Sequence, residues 1–139
     1  MNKKAASFKD ESGASFFSLT DIAAEKSNSP KDVIQAWVSS KDTLEFLIAW
    51  ESMNNDDFNS EFASDLMDRA GFNAFSISPS RWIESTCAKG LQQEGRRGDV
   101  YARAEIALEF AGWISVEFRL SLIKEILKSG SPNELVLSA

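Results

Sequence analysis

The chain has 139 residues, 43% hydrophobic and 26% charged, the size and composition of one globular domain rather than a disordered, fibrous or multidomain chain. No apolar run approaches the roughly 20 residues of a membrane span, and no signal-peptide stretch follows the lysines of Met1-Asn2-Lys3-Lys4, so the protein is expected in the cytoplasm. A net charge of −6 and a pI near 4.7 have the wrong sign for a nonspecific nucleic-acid binder.

Residues 1–15, rich in Lys, Ala, Ser and Gly, read as a flexible tail. After the short apolar run Phe16-Phe17, Ser18 with Asp21 three residues on resembles a capping box and predicts a short helix with Leu19, Ile22 and Ala23 inward. Ser29-Pro30-Lys31-Asp32 is the clearest start signal in the chain, with a cap residue, Pro at the first helical position and acid in the first turn. The helix it opens, Pro30 to about Ser39, turns Val33, Ile34 and Trp37 inward and leaves Lys31, Gln35, Ser39 and Ser40 on the other face. Two short helices so close fit a helix-turn-helix and equally an ordinary helical hairpin. A third helix is expected over 42–54 with Leu44, Leu47, Ile48 and Met53 inward, and a fourth over 60–70, capped by Asn59 and closed by Gly71. Phe72–Ile77 alternates like an extended segment, and Ser78-Pro79 repeats the cap-plus-Pro device before a helix through Trp82 and Ile83.

Gly90-Leu91-Gln92-Gln93-Glu94-Gly95-Arg96-Arg97-Gly98-Asp99-Val100-Tyr101 reads as a hairpin whose basic tip is bracketed by glycines. From Ala104 to Lys128 the pattern is helical, with Ser115 placed to break it in two and cap the second half; Ser129-Gly130-Ser131-Pro132 stops it and opens a C-terminal tail over 129–139. The aromatics at helical spacing are core residues, so Trp37, Trp50, Trp82, Trp113, Phe110 and Phe118 are all expected to be buried. The sum is an α+β domain over 16–128, mainly helical, with one small antiparallel hairpin.

The chain contains no histidine, which removes Ser-His-Asp and Cys-His catalysis, His-ligated metals and the usual acid–base residue at neutral pH. The single cysteine, Cys87, makes neither an internal disulfide nor a multi-cysteine zinc site and reads as a buried small hydrophobe. No phosphate-binding glycine loop or nucleophile elbow occurs, so the residues point to no enzyme, cofactor or metal. Charge is unevenly spread: residues 41–70 carry eight acidic and two basic groups, while the arginines gather near Gly95 and Gly98.

Several runs together resemble the KilA-N domain family of phages, large DNA viruses and bacteria. They are Phe17-Ser18-Leu19-Thr20-Asp21-Ile22-Ala23, Asp32-Val33-Ile34-Gln35-Ala36-Trp37, Thr43–Glu51, Phe75–Glu84, Gly95–Arg103 leading into Ile106–Ser115, and Glu117–Glu125. The resemblance implies a DNA-binding α+β fold akin to the fungal APSES domain: a helix-turn-helix-like pair whose second helix approaches a groove, packed helices, and a small β-hairpin wing whose tip Gly95–Gly98 touches phosphate or the minor groove. By position it implies DNA contacts from Lys31, Gln35, Ser39, Ser40 and Lys41, and from Lys89, Gly95, Arg96, Arg97, Gly98 and Arg103. Two departures stand out. Ala36-Trp37-Val38-Ser39-Ser40-Lys41-Asp42 keeps one basic residue where the family has several, and Asp99 and Arg103 replace a Gly and a His of the family's wing.

The implied function is a small phage or prophage-type DNA-binding protein, regulatory in role and acting on double-stranded DNA in the cytoplasm of a bacterial host. Because family members often carry a further C-terminal domain, this chain is expected to be a stand-alone module or to lack an effector half. The alternative keeps the fold and drops the DNA: an acidic, contact-depleted domain that binds a host or phage protein through its 42–68 face.

Overall fold

The structure, a computed structural model, describes residues 13–72 and 75–129 together with the backbone of Ser7–Lys9. In chain order the elements are β1 (Ser7–Lys9), β2 (Ser15–Ser18), α1 (Leu19–Ala24), α2 (Pro30–Val38), α3 (Lys41–Asn54), α4 (Ser60–Arg69) and α5 (Pro79–Thr86). β3 (Leu91–Glu94), β4 (Asp99–Arg103), α6 (Ala104–Ile114) and α7 (Val116–Ser129) complete the described residues. The domain is thus mainly helical α+β, as the sequence predicts. No helix among the described residues is long and apolar enough to cross a membrane.

Local chemistry accounts for most of the helix starts. Ser18, Asn59 and Ser78 each accept a hydrogen bond from the backbone N–H three residues on, at 3.0, 3.1 and 3.2 Å. Helix α2 begins where expected, but the Ser29 side chain makes no cap; Pro30 sets the first φ, and the Ser29 carbonyl accepts from Asp32 and Val33. Helix α4 ends on Ala70 in right-handed geometry, and Gly71 does not take the left-handed cap predicted for it. The left-handed cap occurs instead at Cys87, with φ +58° closing α5. That position turns the cysteine out to solvent, so Cys87 is exposed and not the buried hydrophobe expected.

The four strands form one antiparallel sheet in the order β1-β2-β4-β3. The wing strands β3 and β4 are therefore half of a larger sheet, anchored by the pairs Phe16–Arg103 and Phe17–Ala102. Ser7–Lys9 pairs with Phe17–Ser15, so part of the segment read as a tail is a strand. Phe75–Ser78 joins no ladder, because its polar backbone turns to α2: Ser39 Oγ accepts from Ile77 N at 2.9 Å and donates to Ile77 O at 3.2 Å.

The helices pack with Leu91, Val100 and Ala102 of this sheet around Trp37, Trp82, Phe110, Leu44, Leu47 and Ile106, all six fully buried. Trp50 is buried at the edge of the cluster. Trp113 and Phe118 are not in the core: they are 45% and 38% exposed, because α7 turns away after Ser115 and buries none of its residues. Met53, 82% exposed, is likewise outside the core, past the last inward turn of α3.

Candidate nucleic-acid interface

The wing tip is built by its two glycines. Residues 95–98 form the turn between β3 and β4, with Gly95 at φ +77° and Gly98 at φ +68°, a region that costs a side chain about 1 kcal/mol or more. Gly98 N donates to Gly95 O at 3.1 Å, and Gln93 Nε2 braces the turn on Gly98 O at 3.1 Å. Between the glycines, Arg96 and Arg97 project into solvent. Arg97, 85% exposed, lies 3.8 Å from the Asp99 carboxylate, a long surface pair that holds the guanidinium only weakly.

The wing root is fixed by a residue that the motif reading passed over. Glu51, completely buried, accepts from Gly90 N at 2.7 Å, Lys89 N at 3.0 Å and Asn55 Nδ2 at 2.8 Å. Asn55 also donates to Cys87 O at 2.8 Å, so one carboxylate and one amide tie α3 to the α5–β3 connection. Gly90 is required by space: a Cβ there would lie 2.9 Å from Glu51 Oε2, 3.0 Å from Trp50 Cε3 and hard against Ile106 Cδ1. On the other edge, Val100 N donates to Thr20 Oγ1 at 2.9 Å and joins β4 to α1. The sequence does carry a signal for Glu51, since its spacing from Leu44 and Leu47 puts it on the buried face of α3.

The expected contact residues fall into three places. Gly95, Arg96, Arg97 and Gly98 are together at the tip. Lys31, Gln35, Ser39, Ser40 and Lys41 are on α2 and its junction with α3, and α1 packs between that group and β4. Within this second group Lys31, Gln35 and Lys41 are exposed; Gln35 Nε2 donates to Ser76 Oγ at 2.7 Å, and Ser39, half-buried, is bonded to Ile77. Ser40 is half-buried at the α3 N-terminus and caps nothing with its side chain.

Lys89 and Arg103 form the third place, at the wing root. Lys89 reaches Asp57 at 3.3 Å. Arg103 is about 13 Å along the strand from Asp99. Its guanidinium lies over the rings of Phe16 and Trp50, 5.8 and 5.5 Å from their centroids. Beside it, Glu105 accepts from Trp50 Nε1 at 3.2 Å. The Glu105 carboxyl is held below the ordinary glutamate range by its own backbone N–H in the first turn of α6, by Trp50 and by Arg103, against a smaller opposing effect of burial.

The acids of 41–70 belong to α3, α4 and the loop between them. Glu51 is internal, Asp57 faces Lys89 and Asp65 pairs with Arg69 at 3.3 Å, while Asp42, Glu45, Asp56, Glu61 and Asp68 are exposed. No curated protein and no solved structure matches the chain significantly. The family model of the KilA-N domain matches residues 8–130, from the first strand to the end of the last helix. The chain therefore belongs to the KilA-N domain family, whose members are generally DNA-binding.

Proposed function

We propose that this chain binds double-stranded DNA through its wing and serves as a small regulatory protein of phage or prophage type in a bacterial cytoplasm. The observation that carries the reading is the glycine-bracketed tip, which presents two guanidinium groups with no close partner among the described residues beyond a long pair to Asp99. Arg96 and Arg97 would hold phosphates, with Lys31 and Lys41 as outlying cations. Gln35 spends its amide N–H on Ser76 at the surface and Ser39 is bonded to Ile77, which leaves few free donors on α2 to read base edges. Binding is therefore mostly of the backbone-positioning kind, with modest sequence discrimination. Arg103, sandwiched against two rings, supports the wing rather than contacting DNA.

The test is fluorescence anisotropy of a labelled duplex titrated with protein at several salt concentrations. The reading expects a complex at low salt that weakens steeply as salt rises. No complex at about 10 µM protein, where even nonspecific DNA binders associate, favours the second reading, a domain that docks a basic protein on its exposed α3–α4 acids. Asp42, Glu45, Asp56, Glu61 and Asp68 support that alternative.

A further inference from the structure

Eight of the ten large hydrophobic side chains exposed among the described residues lie between Leu108 and Leu127, on α6 and α7. Exposed apolar patches of this kind mark interaction surfaces. Helix α7 has 14 residues and buries none of them, and a helix of that length is marginal in water without tertiary packing. Its inner side touches the body lightly: Phe118 lines an apolar groove with Phe17, Ile22 and Leu108, and the Arg119 stem packs at Gly112. A different side carries Val116, Leu120, Ile123 and Leu127, at steps of four, three and four residues and 47–65% exposed. That spacing is the seam of a two-helix coiled coil.

We infer that α7 is a self-association element, pairing antiparallel with α7 of a second copy of this chain. The seam is self-complementary about a point between Leu120 and Ile123, as a two-fold interface requires: Val116 meets Leu127 of the second copy and Leu120 meets its Ile123. The flanking charges choose the direction. Glu117 and Lys124 each follow a seam residue by one position and so share a flank. In the antiparallel pair, Glu117 of each copy faces Lys124 of the other, giving two attractive contacts. In a parallel pair, Arg119 would face Lys124 twice, giving two repulsive ones.

The test is sedimentation equilibrium of the full chain without DNA, carried to about 100 µM because so short an interface belongs to the weak class. The wild type should form dimers, and Ile123→Glu should be monomeric with an unchanged thermal transition when both are melted in dilute solution, where neither associates, since α7 buries no residue in the monomer. Lys124→Glu should weaken the dimer on the order of tenfold through two reversed pairs, and adding Glu117→Lys should restore it. A wild type that stays monomeric, an Ile123→Glu variant that still dimerises, or a Lys124→Glu variant with an unchanged or tighter dimer overturns the inference. None of these outcomes depends on whether the wing binds DNA.

Discussion

Glu51 is acidic, yet its environment makes it part of the core. Three N–H donors converge on its two oxygens, and Glu51→Gln would turn an amide N–H₂ toward at least one of them. The expected loss is about 1.5–3 kcal/mol, read as a lower urea midpoint with an unchanged slope; an unaltered midpoint would mean that the wing root is not held this way. Arg103→Ala should act on the same assay, lowering stability by about 1 kcal/mol through lost stacking on Phe16 and Trp50, while any DNA affinity keeps its salt dependence. Glu105 supplies a pH signature. Its carboxyl pKa is lowered in the folded protein, so its contribution is present above the ordinary glutamate range and disappears as pH falls through the depressed value. Glu105→Gln should therefore lower stability at neutral pH and converge with the wild type in acid, as parallel denaturation curves at several pH values would reveal.

At the scale of elements, α6 and α7 separate two kinds of aromatic that look alike in the sequence. Phe110 is completely buried with its ring edge-on to Trp37 at 4.9 Å, whereas Trp113 stacks outside it at 6.4 Å and remains 45% exposed. Phe110→Ala should cost about 3–5 kcal/mol and Trp113→Ala about 1 kcal/mol, a difference visible in thermal melts of the two variants. The helix starts at Ser18, Pro30, Asn59 and Ser78, and the turn at Gly95–Gly98, were legible because each is written in a few adjacent residues. The pairing of β2 with β4 was not: it joins residues more than eighty positions apart, and Phe16-Phe17 alone carries no register. An apolar stripe says that a helix face seeks cover without saying what covers it, which is why Trp113, Phe118 and Met53 read as core and lie outside it.

Across the whole molecule, exposed acids are spread over most elements and are densest on α3, α4 and their connection. The Arg96-Arg97 pair, with glycines on both sides, sits on the wing, with Glu94 exposed beside it. The exposed, glycine-bracketed turn that carries Arg96 and Arg97 was readable from spacing alone. The engagement of Gln35 with Ser76 and of Ser39 with Ile77 was not, since both bonds span about forty residues of sequence. Whether the wing tip is the DNA contact is decided by the salt dependence of duplex binding by the Arg96→Ala/Arg97→Ala double variant. Affinity should fall for every sequence, the slope of log affinity against log salt should flatten by about one to two units, and the melting temperature should stay near that of the wild type. A double variant that binds with wild-type affinity and an undiminished slope would contradict the account.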